Sequence, residues 1–190
     1  MNQELRDMFV ADQMERNNHP DNDTPEYIQL RERDAQRRQR VREVISEGLL
    51  TAPDDYFHAA LIFQHGETLD DIWQAHELAS RAAEMGATQS MGYKDSRWLA
   101  AAALDRWLMY QGKPQKYGTQ FVPDGKRWRL WDVDPTTTDG ERAANHVPSL
   151  QEQLQQAERF TQEMPQSGID KETVPAWLRE AIERWEREES

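Results

Sequence analysis

Three Ala-rich apolar segments at the centre of the chain constrain its fold most strongly. They span about residues 53–66, 68–86 and 96–112, and each ends at a glycine. Within each segment, apolar residues recur at the three- and four-residue spacing of a buried helix face, and glycine is frequent just past a helix end. The four alanines at 100–103 let helix axes approach closely. The pattern therefore predicts three packed helices within an all-α fold, an irregular helical bundle.

The first two segments predict a helical hairpin. Their small residues, from Ala60 and Gly66 to Ala75 and Gly86, resemble the rhythm of Sel1-type and tetratricopeptide repeats. A second repeat would end at Gly112, and the separation between Gly66 and Gly112 is longer than such repeats allow. We therefore expect one Sel1/tetratricopeptide-like hairpin and no solenoid.

Further helices and one small β-hairpin are predicted around this centre. The additional helical patterns span about 1–15, 26–47, 149–163 and 174–188. Alternation around Pro123-Asp124-Gly125 predicts a β-hairpin with strands at 120–122 and 127–131. Residues 134–148 are rich in Thr and Pro and predict a loop.

The composition along the chain predicts three parts. Residues 1–25 form an N-terminal arm and linker, because 17–25 are dense in Asn, Asp and Pro. Residues 26–164 form the helical core domain. Residues 165–190 hold a C-terminal helix whose apolar stripe packs either on the core or on a second copy of the chain, and the second option makes a homodimer.

Six arginines lie between positions 31 and 42, interleaved with acidic residues and glutamines. One interpretation is a solvated helix face with internal ion pairs. The other is a surface that docks an acidic partner or the acidic remainder of this chain.

The charge balance excludes several classes of partner. The chain has 23 Lys and Arg against 35 Asp and Glu, a formal net charge of −12, so we expect neither nucleic acid nor an anionic membrane as a partner. The absence of cysteine excludes disulfides and thiolate sites and agrees with a cytoplasmic location. The first residues do not resemble a signal peptide and no 18-residue apolar stretch occurs, so we predict a soluble cytoplasmic protein. The segment 112–131 is locally basic and still permits a small anionic ligand.

Polar residues interrupt the predicted helices near their ends. Asp105 lies on or beside the apolar face of the third helix, where a carboxylate needs a cation or several donors. Gln64 and His65 end the first hairpin helix, and the loop at 112–120 follows the third. Taken alone, that loop is either a rigid connection that caps helix ends or a site with neutral donors and acceptors.

Three histidines, His58, His65 and His76, raise the alternative of a metal site with Asp70 and Asp71. Their spacing matches no established metal motif. His58 and His65 are two helical turns apart, about 10 Å along the axis, which is too far to share an ion without a bend. We therefore predict no metal, and the default role of each histidine is at the surface or in a structural hydrogen bond. The sequence contains no Gly-rich phosphate loop and no dinucleotide fingerprint, so we predict no cofactor.

Four stretches of the chain occur together and in order: DDYFHAALIFQHG (54–66), AHELA (75–79), WLAAAALDRWL (98–108) and GKPQKYGTQF (112–121). Together they resemble a bacterial family of uncharacterised proteins, a domain of unknown function. Its marks are a Gln-His pair that ends a helix, an Asp-Arg pair on a later helix and a Gln-x-Tyr-Gly-Thr-Gln loop. The resemblance covers about residues 34–150 and implies a shared site at the matching positions. These positions are Gln64, His65, Asp105, Arg106, Gln115, Tyr117, Gly118, Thr119 and Gln120.

Two functions remain open at this point. The first is a small cofactor-independent enzyme or small-molecule-binding protein with a polar pocket at the end of the helical bundle. In it His65 and Asp105 are catalytic, and Arg106 holds a carboxylate or phosphate. The other ligand-binding residues are Gln64, Gln115, Tyr117, Thr119 and Gln120. The alternative is a helical adaptor without catalysis, in which the same residues brace the loop and an exposed face binds a protein.

Overall fold

The computed structural model describes residues 1–18, 20–21, 24–88, 91 and 94–189. In these residues the chain is mostly helical with one two-stranded antiparallel sheet, as predicted. The helices are α1 (Gln3–Asn17), α2 (Pro25–Ser46), α3 (Pro53–Gln64), α4 (Leu69–Glu84), α5 (Ser96–Met109), α6 (Asp139–Ala144), α7 (Leu150–Glu163) and α8 (Ala176–Glu188). The strands are β1 (Phe121–Pro123) and β2 (Trp128–Leu130). No helix within those ranges is long and apolar enough to cross a membrane.

Contacts within the chain divide it into two compact units, Met1–Ala103 and Leu104–Ser190. The sequence predicts boundaries after residues 25 and 164, whereas the contacts place this division inside α5. Each unit has a hydrophobic core of its own.

The first unit is built around α3 and α4, which pack against each other as a hairpin. Its core contains Phe57 and Leu61 of α3 together with Leu78 of α4. The helix α1 packs on α3, and Leu5 is fully buried. The predicted N-terminal arm thus contributes a helix to this core. At the start of α4, the hydroxyl of Thr68 accepts a hydrogen bond from the backbone N–H of Asp71, which is the predicted cap.

The second unit combines the β-hairpin with α7 and α8. The strands pair antiparallel, with Phe121 opposite Leu130. Trp185 of α8 packs edge-on against Trp131, which follows β2, so the apolar stripe of α8 is buried within this unit. The predicted loop over 134–148 is wrong in part because it contains α6. A capping box starts this short helix: the Thr138 hydroxyl accepts from the N–H of Glu141, whose carboxylate accepts from the N–H of Thr138.

Candidate functional site

The eight predicted site residues fall into two groups, one in each unit. Gln64, which is partly buried, and His65 lie at the end of α3 in the first unit. The second unit holds the other six: Asp105, Arg106, Gln115, Tyr117, Thr119 and Gln120. A single site formed by both groups stays a prediction.

His65 is the C-cap residue of α3, and a buried carboxylate from α1 holds its ring. The ring Nδ1 lies 3.1 Å from the carboxylate of Asp12, whose side chain is 1% exposed. The Nε of Arg16 lies 3.3 Å from the same ring nitrogen. Because one nitrogen cannot both donate to Asp12 and accept from Arg16, the tautomer of His65 decides which bond forms. The His65 side chain is 23% exposed, and its Nε2 has no hydrogen-bond partner in the part of the chain that the structure describes.

The pKa of Asp12 is lowered although its side chain is buried. Burial by itself raises the pKa of a carboxyl group, because the charged form loses its water. The hydrogen bond and charge of His65, with the positive charges of Arg16 and Arg37, outweigh burial and hold the pKa below its ordinary value. Gln13 donates a further hydrogen bond to the carboxylate at 2.8 Å. Asp12 is therefore ionised at neutral pH and is a hydrogen-bond acceptor for His65.

A second buried carboxylate, Asp34 of α2, completes the charged surroundings of His65. Arg16 lies 2.5 Å from Asp34 and Arg37 lies 3.2 Å from it. Arg31 lies 3.7 Å from Asp34 and also donates to the backbone oxygen of His65 at 3.2 Å. These three arginines exceed the two aspartates by one positive charge, before Glu67 and Glu15, which pair with Arg31 and Arg37, are counted.

The arginines of α2 pair with carboxylates from other segments of the first unit. The pairs are Arg31 with Glu67, Arg33 and Arg37 with Glu15, Arg38 and Arg42 with Asp71, and Arg40 with Glu4. Ion pairs within α2 also occur, between Arg37 and Asp34 and between Arg40 and Glu43, so the helix pairs both internally and with the rest of the chain. The arginine-rich helix thus supplies the positive charge that lets two carboxylates be buried near His65.

Asp12, Arg16 and Asp34 were not among the predicted site residues. The helical period indicates that Asp12 is buried, because Asp12 follows the buried Leu5 by seven residues and so lies on the same helix face. Asp34 likewise follows the buried Leu30 by four residues. A charged residue on an apolar face needs a partner, and the structure places both aspartates beside arginines.

The two other candidate histidines have different environments. His58 is 1% exposed and stacks on Phe9 with ring centroids 4.4 Å apart. The Nδ1 of His58 is buried without a hydrogen-bond partner among the described residues. The Nδ1 of His76 lies 2.9 Å from the backbone oxygen of Ala100. In the described ranges no group of three or more His, Cys, Asp or Glu residues could hold a metal ion.

In the second unit, Asp105 holds the loop that follows α5. The side chain is fully buried, and one carboxylate oxygen accepts from the backbone N–H groups of Lys116 (2.7 Å) and Tyr117 (2.9 Å). The other oxygen accepts from the backbone N–H (3.0 Å) and the hydroxyl (2.9 Å) of Thr119. Burial raises the pKa of Asp105, and these four hydrogen bonds oppose the rise. A carboxylate accepts about four hydrogen bonds, so all of the hydrogen-bond acceptor sites of Asp105 are occupied by groups of the loop.

Gln115 is fully buried and joins the same loop to the segment around β2. Its Nε2 donates to the backbone oxygens of Gln120 (3.1 Å) and Trp131 (2.8 Å). Its Oε1 accepts from the N–H of Gln120 at 2.8 Å. The side-chain amide of Gln115 is therefore fully used in bracing the loop.

The remaining residues of this group differ in their contacts. The side chain of Gln120 donates to the hydroxyl of Thr119 at 3.0 Å. The backbone oxygen of Tyr117 accepts from Nε of Arg142, a buried arginine of α6 that sequence reasoning did not place in the site. Arg106 donates to the hydroxyl of Tyr110 at 2.9 Å, one helical turn further along the chain.

The two groups therefore offer different chemistry. Asp105 and Gln115 use their polar atoms within the loop, whereas His65 has an unpartnered Nε2 in the described structure. Comparison of the chain with family models, curated proteins and solved structures finds no match.

Proposed function

We propose that this protein is a small-molecule-binding protein or a small cofactor-independent enzyme that uses His65 as its acid–base group. The observation that carries the proposal is the buried, ionised carboxylate of Asp12 at Nδ1 of a partly exposed imidazole. A carboxylate at this position fixes the tautomer and orientation of a histidine.

The distances favour the tautomer in which Nδ1–H donates to Asp12. The contact with the carboxylate is shorter than that with Arg16, and it is charge-assisted. Arg16 also keeps a strong partner in Asp34 at 2.5 Å. With the proton on Nδ1, the Nε2 atom of His65 carries a lone pair. It takes a proton from a bound ligand or water and returns it, as a general base and then a general acid.

The second unit supports a structural role for several predicted site residues. In this proposal Asp105, predicted as catalytic, holds the loop together with Gln115 and Thr119. This bracing favours the second candidate function, a helical adaptor that binds a protein partner. Under this alternative, the α3–α4 hairpin has a Sel1/tetratricopeptide-like character. A homodimer is also part of this alternative. Membership of the bacterial family and a cytoplasmic location stay predictions under either function.

The test compares His65→Gln with a matched control, His146→Gln, which changes an exposed histidine of the second unit. Each protein is purified from cells, small molecules released on denaturation are identified by mass spectrometry, and conversion of a metabolite mixture is followed. We expect His65→Gln to lose retention about tenfold, or turnover by about 10²–10⁴-fold. The melting temperature should fall only slightly, because Asp12 keeps Gln13 and Arg16 as partners. His146→Gln should behave as the wild type.

The opposite result distinguishes the two functions. If His65→Gln retains and converts the same molecules as the wild type, His65 is not the acid–base group. A large loss of thermal stability with intact binding of a protein partner would favour the adaptor instead.

A further inference from the structure

The turn between α3 and α4 holds a carboxylate against an arginine next to His65. In this turn, which spans residues 65–68, the carboxylate of Glu67 lies 2.5 Å from Nη2 of Arg31. The other terminal nitrogen of that guanidinium, Nη1, donates to the backbone oxygen of His65 at 3.2 Å. Arg31 therefore holds an oxyanion two residues from the proposed acid–base group.

The side chain of Glu67 is replaceable, whereas the turn that carries it is fixed. Glu67 is 66% exposed and Arg31 is 23% exposed, so their ion pair is largely solvated on the glutamate side and adds little stability. The turn itself packs closely, because a Cβ at Gly66 would lie 2.3 Å from Cβ of Asp71. The Glu67 carboxylate can leave Arg31 without moving the backbone next to His65.

The charge around His65 also favours an anion. The connected charges are four positive ones, on Arg16, Arg31, Arg33 and Arg37, and three negative ones, on Asp12, Asp34 and Glu15. The exposed Glu67 balances the remaining positive charge. When the Glu67 carboxylate moves away, Nη2 of Arg31 can pair with another oxyanion, because the planar guanidinium matches carboxylate and phosphate.

We infer that an oxyanionic group of a small ligand, a carboxylate or a phosphate, binds Arg31 in place of Glu67, beside His65. This inference rests on the proposed function of His65 and adds the chemical class of the ligand. The anionic group anchors the ligand on α2, and the part of the ligand next to that group meets the imidazole.

The experiment titrates acetate and, separately, inorganic phosphate into the full-length protein at constant ionic strength set with chloride. The readout is the NMR signals of the His65 imidazole, assigned by their loss in His65→Gln. The variants are Glu67→Gln and Arg31→Gln, with Arg31→Lys as a milder change. The matched controls are Glu4→Gln and Arg40→Gln, which break another solvated pair between α2 and α1, with Nε of Arg40 2.6 Å from Glu4.

We expect at least one of the two anions to shift the His65 signals saturably in the wild type. Glu67→Gln should bind that anion about 1.5- to 5-fold more tightly, because an exposed ion pair no longer competes. Arg31→Gln should weaken binding about tenfold or more, and Arg31→Lys should fall between Arg31→Gln and the wild type because lysine lacks the forked geometry. The two controls should stay close to the wild-type affinity.

A shift with acetate alone identifies a carboxylate ligand, and a shift with phosphate alone identifies a phosphate ligand. If neither anion shifts His65, or if the shift persists unchanged in Arg31→Gln, the inference is wrong. Failure of this inference is distinct from failure of the proposed function. The proposed function depends on the pairing of His65 with Asp12, which is measured without any added anion.

Discussion

The removal of Asp105 gives the clearest test of what holds the loop at 112–120. In Asp105→Ala, the backbone N–H groups of Lys116, Tyr117 and Thr119 all lose their acceptor, as does the Thr119 hydroxyl. In Asp105→Asn, the amide oxygen still accepts from Lys116 and Tyr117. The amide NH₂ then faces the N–H of Thr119, which is left unpaired, while the Thr119 hydroxyl can turn to accept from it.

The magnitudes follow from the number of unpaired donors. A buried donor without an acceptor costs about 1–3 kcal/mol, so Asp105→Asn should lose about 1–3 kcal/mol of unfolding free energy. Asp105→Ala leaves three N–H groups unpaired and should lose about 3–6 kcal/mol, since water entering the new cavity satisfies some of them. That loss is a large part of the roughly 5–15 kcal/mol that stabilises a typical domain.

The assay is amide hydrogen exchange by NMR, supported by urea unfolding. In Asp105→Asn the Thr119 amide should exchange about tenfold faster or more, whereas the Lys116 and Tyr117 amides keep their protection, because 1.4 kcal/mol corresponds to a factor of ten. Glu163→Gln, which changes an exposed residue of α7, is the control and should leave all three amides unchanged. Equal protection of the Thr119 amide in the wild type and Asp105→Asn would refute the reasoning.

Two further predictions concern the core of the first unit and its turn. Burial lowers the pKa of His58 below its ordinary value of 6.5. At a pH below about 6.5, His58 therefore binds a proton in the unfolded chain but not in the folded chain, so the free energy of unfolding should fall as the pH drops. His58→Phe, which keeps the stacking on Phe9, should flatten this fall in urea unfolding measured at a series of pH values; an unchanged slope would show that His58 is not its source. Gly66→Ala should lose about 1–3 kcal/mol because its Cβ would overlap Asp71, which lies only 2.3 Å away. The control is Gly140→Ala, where the nearest atom to the new Cβ would be the Thr138 hydroxyl oxygen, at an ordinary contact distance of 3.8 Å. It should be neutral or more stable by about 0.5–1 kcal/mol, and equal effects of both substitutions would contradict the steric argument.

Local patterns in the sequence predicted most of the helices and the β-hairpin. Gly66 and Gly86 each lie two residues after the last residue of α3 and α4, and Thr68 caps α4 as expected. These signals act within a few residues of one another, so they can be read without the fold. The helix α6 was missed because it is six residues long, and its capping signal, Thr138 with Glu141, lies within a Thr- and Pro-rich segment.

The candidate site was predictable only in part, because its main contact is between distant residues. Asp12 and His65 are 53 residues apart, and the helical period shows that Asp12 faces the core without showing what it meets there. The sequence predicted that Asp105 needs a cation or several donors, and the structure supplies four donors. Those donors are mostly backbone N–H groups of the loop, which no side-chain pattern reveals.

The pairing of His65 with Asp12 is the central claim, and the tautomer of the imidazole tests it most directly. Long-range ¹H–¹⁵N NMR at about pH 8, where an ordinary histidine is neutral, shows which ring nitrogen of His65 carries the proton. The pairing predicts a proton on Nδ1 in the wild type and a shift toward Nε2–H in Asp12→Asn, where Arg16 becomes the donor to Nδ1. A proton on Nε2 in the wild type, or identical spectra for the two proteins, would contradict the assignment of His65 as the acid–base group.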